Sequence, residues 1–582
     1  ALQKLTPSFS SMTNGMGTTL SLNGLPDDYF IFLENGKRLY GDDTYARINV
    51  AKIKRIEILN GASSALYGTN AIGGVINIIT DDVKNAINVS SDTRYASKGR
   101  FTQSVNIDVN TGKFGSYTSY RRQQAEGWQL NPYEENSKTH ELEETGKVAS
   151  TGFYANTVNQ KFTFDATDKL SFYARGGYYD NKTRRPYEAY DYNILHETFN
   201  YGIGTQYMIS KGNYITADYY ADHFSSSYCF FKDNKTYNGK AGEEQVRKRT
   251  RNHNLSIKGI FKLGNRHKLS VGTEYIVDVL KSQTDNIAKE DAYTLALFAQ
   301  DEIKLLRNLQ ALIGVRYIYH ENFKNHATPN VALMYKPGKF NFRASYAAGF
   351  RTPTLSELYA TDIAKKNDRL TIGNLDLKSE KNNYFSLSAE YVHERFSVSV
   401  NAFYNNIRDM IDYNTIATGD KAMEQYGHKE VRQRDNIAEA KVYGINVSAN
   451  AYLGAGFNLS GGYTHLNTQD VELEQPIDKS IKNAYNINAQ WAHSWKIYRL
   501  NINLNGRINS KRFSKSYGYA PEYQLWDLNT RHSFNLKSVI IEPGCGIENL
   551  FDYTDDRPYN SNYATLTPGR SFYISLSLKF KS

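Results

Sequence analysis

Apolar and polar residues alternate with a period of two along most of the chain beyond residue 82. The pattern is clearest at the C-terminus, where every second residue is apolar: Phe572, Ile574, Leu576, Leu578 and Phe580. Strict alternation places one face of a β-strand in an apolar medium and the other face in a polar one. The chain beyond residue 82 is therefore predicted to consist mainly of β-strands.

The spacing of these segments indicates what kind of sheet they form. There are about 22 segments of roughly ten residues, the length that a tilted strand needs to cross a bilayer. All the short polar turns fall on one side and all the long loops on the other, which is typical of a closed antiparallel transmembrane barrel. The predicted strands are 84–95, 100–110, 114–122, 158–166, 170–180, 199–210, 214–222, 252–263, 268–278, 292–303, 308–319, 327–335, 340–350, 384–393, 396–405, 441–453, 457–466, 481–494, 498–506, 524–535, 538–549 and 570–580.

The composition agrees with a barrel and excludes several other classes. The 582 residues have a mean hydropathy of −0.60. No stretch approaches the roughly 18 consecutive apolar residues of a transmembrane helix. Low hydropathy is expected for a barrel because half of each strand faces a wet lumen. The two cysteines, Cys229 and Cys545, are too few for a disulfide scaffold or a cysteine-based metal site.

Tyrosine is the most unusual feature of the composition, with 46 Tyr beside 28 Phe and 4 Trp. Aromatic rings at strand ends suit the interfacial girdles of a membrane barrel, where a ring is half wet. The candidates for such girdles are Tyr346, Tyr391, Trp491, Trp495 and Tyr573. The net charge of +10 comes from basic residues interleaved with acidic ones, so no nucleic acid partner is predicted.

An even number of strands ending near Phe580 places the short turns on the periplasmic side and the long loops outside. The predicted loops are 123–157, 180–198, 223–251, 351–383, 406–440, 507–523 and 550–569. A barrel of this size encloses a wide lumen, which a separate domain is expected to fill.

The first 83 residues are the candidate for that domain. Residues 29–33 and 53–59 each predict a strand, the first ending at an Asn-Gly turn, and residues 73–80 predict a buried strand. These short elements, rich in small residues, indicate a compact α+β domain. We therefore predict a plug domain at 1–83 and a barrel at 84–582.

Several motifs in both parts carry a resemblance to a known family. The plug motifs are Arg55-Ile56-Glu57-Ile58, Gly61-Ala62-Ser63-Ser64-Ala65-Leu66-Tyr67-Gly68 and Ala71-Ile72-Gly73-Gly74-Val75-Ile76-Asn77-Ile78-Ile79-Thr80. The barrel motifs are Phe350-Arg351-Thr352-Pro353-Thr354-Leu355-Ser356-Glu357-Leu358-Tyr359, Gly373-Asn374-Leu375-Asp376-Leu377-Lys378-Ser379-Glu380 and the terminal Glu548-Asn549-Leu550-Phe551-Asp552 with Pro568-Gly569-Arg570. Over roughly residues 1–582 the chain resembles the TonB-dependent outer-membrane receptors, a family that includes siderophore, haem and cobalamin receptors.

This resemblance implies a 22-stranded barrel with an N-terminal plug in the outer membrane of a Gram-negative cell. It implies ligand uptake driven by the inner-membrane proton gradient through the TonB-ExbB-ExbD complex. The family's TonB box precedes the position that matches Ala1, so the plug is expected to be truncated at its N-terminus. No intrinsic cofactor is expected, because the metal, iron or cobalt, would belong to the ligand.

The charge of the loops favours an acidic metal chelate, since several cations stand beside aromatic residues. A ferric siderophore leads, followed by a corrinoid (cobalamin) and then haem, because residues 354–372 contain no histidine and His428 is an isolated candidate ligand. The candidate ligand-binding residues are Tyr29, Arg184, Arg185, Tyr187, Lys365, Lys366, Arg369, Tyr426, His428, Arg512, Phe513 and Tyr517. A solvated loop, or contact with anionic lipopolysaccharide, explains each cluster equally well.

Charged contacts between plug and wall are also expected, because water can replace them when the plug shifts. The candidates are Arg55 and Glu57 in the plug and Glu390 in the wall. The acidic segment 285–291 is a weak candidate for calcium, since EF-hand spacing is absent. Outer-membrane lipid surrounds the barrel, and a surface lipoprotein that caps the loops is conceivable by analogy alone.

Two other classes remain as alternatives. An outer-membrane enzyme is not predicted, because the sequence contains no Gly-x-Ser-x-Gly elbow, His-Glu-x-x-His pair or phosphate-binding glycine loop. A passive porin or adhesin would need no plug, so the segment at 53–80 argues against it.

Overall fold

Twenty-two antiparallel strands close into a barrel in the computed structural model of the chain, within the part that the structure describes. The described residues are 2–14, 17–48, 50, 53–61, 68, 71–80, 86–136, 138–364, 368–515, 518–559 and 567–581. The last strand pairs with the first, so that Phe580 lies opposite Val89. Closure lets the strands satisfy their backbone hydrogen bonds without an open edge, as a bilayer requires. The predicted 22-stranded barrel is confirmed.

The barrel strands follow one another around the wall in sequence order. Their bounds are Ile87–Ala96, Arg100–Asn110, Phe114–Ala125, Gly152–Asp165, Leu170–Arg184, Tyr192–Ser210, Asn213–Phe230, Glu244–Leu263, His267–Ser282, Ile287–Lys304, Leu309–His320, Lys324–Tyr335, Phe340–Arg351, Glu380–Val392, Phe396–Thr418, Glu430–Gly454, Phe457–Asp470, Asn483–Trp495, Tyr498–Asn509, Tyr523–Leu536, Val539–Glu548 and Ser571–Lys581. The connections at one end are all short, from two to four residues, and the long loops are all at the other end. These ends are called the short-turn side and the loop side.

Strands on the loop side are longer than predicted. The strand Phe396–Thr418 runs thirteen residues beyond its predicted end at residue 405, and Glu430–Gly454 begins eleven residues before residue 441. Much of the predicted loops 223–251 and 406–440 is therefore strand. The sequence pattern missed these extensions because both faces of a strand are wet beyond the bilayer, so the apolar alternation disappears while the backbone ladder continues.

The outer face of the wall carries the apolar alternation and aromatic groups at both ends. On the loop side the rings of Tyr463 and Tyr485 are stacked at 4.6 Å, and those of Tyr346 and Phe385 lie 5.0 Å apart. Tyr573 is not part of this girdle. It lies on the opposite face to the exposed Ile574, and the Arg94 guanidinium is 4.0 Å from the centre of its ring.

The plug consists of two small sheets. The first joins Phe9–Asn14, Gly17–Leu22 and Leu25–Pro26, and the second has the order Lys37–Arg38, Phe30–Glu34, Gly74–Thr80, Ile53–Asn60. Phe30–Glu34 and Gly74–Thr80 run parallel, and the three strands predicted at 29–33, 53–59 and 73–80 all lie in this second sheet. Leu22, Phe30 and Ile76 are buried in the core that the two sheets share.

Helices are short throughout the described residues. They are Leu2–Leu5, Leu355–Tyr359 and Gly419–Tyr426, with single 3-10 turns at Asp27–Tyr29 and Thr44–Arg47. No helix in that part of the chain has the length and apolar character needed to cross a membrane. The loops also contain short paired strands: Tyr133–Glu135 with Leu142–Glu144, Thr361–Ala364 with Arg369–Ile372, and Arg512–Ser514 with Gly518–Ala520.

Candidate functional site

A buried ionic cluster joins the plug to the wall at the loop-side end of two neighbouring strands. Arg351 donates to both carboxylate oxygens of Glu357, at 2.9 and 3.1 Å, and also pairs with Glu380. Glu380 accepts a hydrogen bond from the Tyr29 hydroxyl at 3.2 Å and from the backbone N–H of Ile411 at 2.9 Å. Tyr29 is the plug residue in this cluster, so these contacts hold the plug against the wall.

The two barrel motifs found in the sequence provide the wall half of this cluster. Arg351 ends one strand and Glu380 begins the next, and the two residues lie opposite each other in the antiparallel register. Between them, Thr354 and Glu357 form a capping box that starts the helix Leu355–Tyr359. Burial alone would raise the pKa of Glu357, but the Arg351 charge and the hydrogen bond from Thr354 lower it below its ordinary value. Glu357 is therefore ionised and fixes the arginine in place.

A second buried ion pair joins another part of the plug to the wall. Arg47 donates to both oxygens of Asp222, at 3.0 and 3.1 Å, and both side chains are almost completely buried. The backbone N–H of Tyr40 donates to the same carboxylate at 2.9 Å. From a strand farther along the wall, Arg121 donates to the carbonyl of Ile48 at 2.6 Å. The plug segment around residues 40–48 is therefore attached to the wall through charged hydrogen bonds.

Further charged contacts are distributed around the plug. The pairs are Lys4 with Asp527, Glu34 with Arg175, Lys37 with Asp218, and Asp43 with His196. Burial opposes the ionised form of Asp43, yet hydrogen bonds from His196 and Asn181 lower its pKa below the ordinary value. Interactions of this kind can be exchanged for hydrogen bonds to water at small net cost, which suits a plug that must be removable.

The residues predicted to form ion pairs between the plug and the wall were the wrong ones. Arg55 pairs with Glu57 two positions away on the same plug strand, at 2.7 Å, and both are exposed. Glu390 lies in the wall and pairs with Arg343 of the adjacent strand at 3.2 Å. The period of two explains this result, because residues i and i+2 share a strand face and meet each other before they meet another domain.

Two glycines let the plug touch the wall closely. A Cβ at Gly61 would lie 2.2 Å from the ring of Tyr384 in the wall, and φ at this glycine is +81°. A Cβ at Gly41, where φ is +80°, would lie 2.8 Å from the Cβ of Phe224. Both positions need glycine for conformation and for space. The first belongs to the motif at 61–68 that carried the family resemblance.

A polar cavity of about 750 Å³ separates another part of the plug from the wall. Charged side chains from both domains line it, among them Lys37, Arg38 and Arg55 of the plug and Arg175, Lys258 and Arg316 of the wall. Arg316 is almost fully buried and pairs with Glu274 at 2.5 Å. This side of the plug therefore already borders a space with the polar lining that water requires.

A group of arginines and tyrosines lies above the plug on the loop side. Tyr192 stacks on Tyr228 at 4.0 Å, and Tyr237 stands edge-on to both rings. The Arg185 guanidinium lies 4.1 Å from the ring of Tyr190 and 5.2 Å from that of Tyr192. The arginine–tyrosine cluster is defined as Arg185, Tyr190, Tyr192, Tyr228, Tyr237 and Arg247.

Arg247 completes this cluster from the next strand. Its guanidinium lies 5.0 Å from the ring of Tyr237 and 5.3 Å from that of Tyr228, and it donates to Gln283 at 2.9 Å. His196 contacts the plug, and Tyr192 lies four residues nearer the loop side on the same strand. The cluster therefore begins about 13 Å above that contact, measured along the strand. Planar rings and guanidinium groups at one site are suited to an anionic ligand with aromatic rings.

The structure brings only one of the three predicted residues of the loop 180–198 into this cluster. Arg185 belongs to it. Arg184 is exposed and donates to the carbonyl of Ala125 at 3.2 Å, while Tyr187 stacks on Phe231 at 5.5 Å beneath the ammonium of Lys232. Tyr29 is also placed elsewhere, buried in the ionic cluster with Arg351.

The other predicted loop residues occupy separate places. His428 shares a hydrogen bond of 2.9 Å with Asp368, and Tyr426 packs against a small apolar cluster. Arg369 lies on the strand Arg369–Ile372, which pairs in parallel with Glu430–Gly454. Arg512 is buried and donates to the carbonyl of Lys479 at 3.2 Å, and Phe513 meets Tyr519 edge to face. Lys365, Lys366 and Tyr517 lie outside the described residues.

Sequence reasoning missed five residues of the cluster, all except Arg185. The available signal was a run of aromatic and basic residues at 187–192, 228–231 and 247–251. Their convergence depends on the strand register, which pairs Tyr192 with Phe230 and so brings Tyr228 alongside. Among the described residues, no three His, Cys, Asp or Glu side chains converge as metal ligands would. In the segment predicted for calcium, Asp285 instead accepts from Ser356 and Asp291 pairs with Lys289.

A closed membrane barrel that contains a plug held by polar contacts defines a gated outer-membrane receptor. Family models agree with this class: a TonB dependent receptor-like β-barrel matches residues 99–550, and a TonB-dependent receptor plug domain matches residues 1–75. The chain belongs to the TonB-dependent receptor family.

Individual relatives are distant in sequence but similar along the whole chain. An iron-regulated outer membrane virulence protein from Vibrio cholerae is 23% identical over 618 residues, covering 99% of this chain and 89% of the relative. The ferric enterobactin receptor of Pseudomonas aeruginosa, solved as a double mutant, has a TM-score of 0.85 at 16% identity, covering 100% of this chain and 95% of that one. The siderophore receptor PirA of Acinetobacter baumannii has a TM-score of 0.80 at 16% identity, covering 99% and 95%. These similarities confirm the predicted fold.

Proposed function

We propose that this receptor imports a ferric siderophore, and specifically an anionic chelate with aromatic rings. The arginine–tyrosine cluster is the observation that carries the proposal. It combines two guanidinium groups with four phenol rings at the mouth of a closed barrel. The named functions of the relatives, an iron-regulated protein and two siderophore receptors, support the same ligand class.

Import then follows from the plug contacts. Ligand binds above the plug, and the barrel stays closed because Tyr29, Arg47 and the other contacts hold the plug in place. A pull from TonB, energised through ExbB and ExbD, exchanges these hydrogen bonds and ion pairs for water. The cavity beside Arg316 gives water an existing space from which to enter. The iron travels with the ligand, so the protein supplies binding and a gate.

A corrinoid and haem remain weaker candidates in that order. His428 is occupied by Asp368 and lies outside the arginine–tyrosine cluster, so it does not favour axial ligation of haem. A surface lipoprotein that caps the loops stays a proposal by analogy, as does calcium in the loops.

Replacing Arg247 by glutamine should weaken the binding of a ferric tricatecholate. The change removes one charged contact to the ligand and the cation that lies over Tyr228 and Tyr237. The expected loss is about 2 kcal/mol, or roughly a thirtyfold rise in Kd, measured by quenching of tryptophan fluorescence in detergent. Arg184→Gln is the matched control, because Arg184 is exposed and donates to the backbone carbonyl of Ala125. Equal Kd values for the two variants would rule out this cluster as the ligand site.

The affinity should also depend on pH through Asp27, a plug residue whose charge interacts with Lys479 in a loop-side connection. Burial, followed by the neighbouring charge of Asp28, raises the pKa of Asp27 to about 6. A carboxylate with a raised pKa is ionised above that pH and neutral below it, so its repulsion of an anionic ligand is present at pH 8 and lost at pH 5.

Comparing the chain with its Asp27→Asn variant isolates this effect, because the ionisation of the ligand itself cancels in the ratio of Kd values. The variant should bind several times more tightly at pH 8 and equally at pH 5. A ratio that stays constant across this range would show that Asp27 does not face the ligand.

A further inference from the structure

A positively charged patch lies on the outer face of the wall at the loop side. Arg249, Arg251 and Lys281 are exposed residues of two adjacent strands. Arg249 and Lys281 are directly opposite each other in the antiparallel register. Like charges in such positions repel and destabilise the pair of strands. The basic patch is defined as these three residues.

Strand alternation shows that the basic patch points away from the lumen. On the neighbouring strand, Asp218 and Asp222 contact the plug, so His223 and Ser225 lie on the outer face. The register places His223 opposite Arg251 and Ser225 opposite Arg249. The three cations therefore face the membrane rather than the ligand or the plug.

Depth along the strand places these cations at the lipid headgroups. Ten residues separate Phe261, near the short turn, from Arg251 on the same face of the strand. That distance is about 33 Å along the strand, or about 25 Å at the usual tilt, which matches the height of the apolar band of a membrane barrel. Arg249 and Lys281 lie two residues farther along their strands, about 7 Å beyond this boundary.

The acidic residues near the patch already have partners. Asp291 pairs with Lys289 at 3.2 Å, and Glu197 accepts a hydrogen bond from Tyr178 at 2.8 Å. Among the described residues, no carboxylate forms an ion pair with Arg249, Arg251 or Lys281. Glu197 keeps its negative charge, because Tyr178 is neutral, but it lies two strands away from Arg249. The three cations therefore keep a local excess of positive charge at the membrane surface.

An apolar groove of about 540 Å³ on the same outer face starts at Leu255, below the patch, and crosses five neighbouring strands to Phe164 beside a short turn. Its floor is formed by small residues such as Ala174 and Ala217, and its walls are large: Phe162, Phe164, Phe172, Ile203, Tyr219 and Leu255. Leu255 is four residues from Arg251 on the same strand, about 13 Å. The cations at headgroup depth thus lie above the Leu255 end of the groove, which is at acyl-chain depth.

We propose that the basic patch and this groove bind an anionic lipid of the outer leaflet, with phosphate on its headgroup and several acyl chains. The cations take the phosphate, which offsets the repulsion between Arg249 and Lys281, and the groove takes one or more chains. The same strands carry Tyr228 and Arg247, so the bound lipid would also steady the wall beneath the arginine–tyrosine cluster.

The test is lipid binding to the detergent-solubilised receptor, measured by native mass spectrometry with bisphosphorylated lipid A as the probe. Binding of the probe should weaken roughly a hundredfold in the triple variant Arg249→Gln, Arg251→Gln, Lys281→Gln. The matched control removes three exposed cations from the short-turn side, in or beside two neighbouring turns, and should bind like the unmodified chain: Lys211→Gln, Lys262→Gln and Arg266→Gln. A variant with lysine at positions 249 and 251 should retain binding.

Four outcomes would overturn the proposal. One is an equal Kd for the glutamine variant and the unmodified chain. Another is an equal loss in the control variant, since this would indicate non-specific attraction to the whole barrel. The third is displacement of the probe by excess inorganic phosphate, since this would make the groove irrelevant. The fourth is equal binding of neutral phosphatidylcholine, since this would make the charges irrelevant.

Discussion

Replacing Arg351 by methionine should lower the free energy of unfolding by about 3 to 5 kcal/mol, measured by urea titration in phospholipid vesicles. Arg351 is the counterion of Glu380, which is fully buried, and of Glu357. Removing it leaves two carboxylates in a site of low polarity without the guanidinium that contacts both. The plug should loosen as well, because Tyr29 bonds to Glu380.

Arg343→Met is the matched control for this prediction. Arg343 lies on the same strand as Arg351 and pairs with Glu390 on the same neighbouring strand, but this pair is partly exposed. An exposed pair contributes about 0 to 1 kcal/mol, so the control should be nearly neutral. A similar stability for the two variants would mean that the buried cluster does not hold this part of the barrel together.

A disulfide between the plug and the wall should stop import completely. Gly41→Cys and Phe224→Cys bring the two sulfur-bearing carbons together, since a Cβ at Gly41 would lie 2.8 Å from that of Phe224. A disulfide needs about 3.8 Å between these carbons, so the bond forms after the backbone at Gly41 moves outward by about 1 Å. Cys229 and Cys545 are first replaced by serine, because both are free thiols. Uptake of a ferric siderophore should fall to background in oxidised cells and return after reduction, because the bond prevents the plug from moving.

The single variants Gly41→Cys and Phe224→Cys control for the substitutions themselves, including the strain of a side chain at φ +80°. Each should import at the same rate with and without oxidant. If the disulfide forms in full and uptake continues unchanged, ligand does not pass through a displaced plug.

The barrel could be predicted from the sequence because a membrane imposes a repetitive signal. Each strand of about ten residues must alternate, and Phe572 to Phe580 does so without interruption. Where the membrane ends, that constraint ends too. The prediction therefore stopped Phe396–Thr418 at residue 405, although the strand runs on above the bilayer.

The contacts between the plug and the wall could be predicted only in part. Arg351, Glu357 and Glu380 lie in motifs that the sequence showed. Their plug partner Tyr29 is distant in the chain, 351 residues before Glu380. The choice of Arg55 rested on charge alone. Arg47 is the residue that reaches the wall, because the 3-10 turn Thr44–Arg47 places it opposite Asp222.

The ligand site shows the same limitation. Arg185 was predicted from its loop, whereas Tyr228 and Arg247 come from two other strands. Their meeting depends on cross-strand register in the part of the wall that lacks alternation. Basic residues are usually exposed to solvent and single exposed aromatic residues are common, so each of them looks ordinary in isolation.

Uptake of radiolabelled iron supplied as a ferric tricatecholate tests the whole proposal most directly. The cells should express this receptor at full length as their only route for the chelate across the outer membrane. We expect uptake that requires the receptor, stops when the inner-membrane proton gradient is dissipated, and is lost in a strain without TonB. Uptake that persists after the gradient is gone, or that is equal in cells without the receptor, would contradict energised import through this barrel.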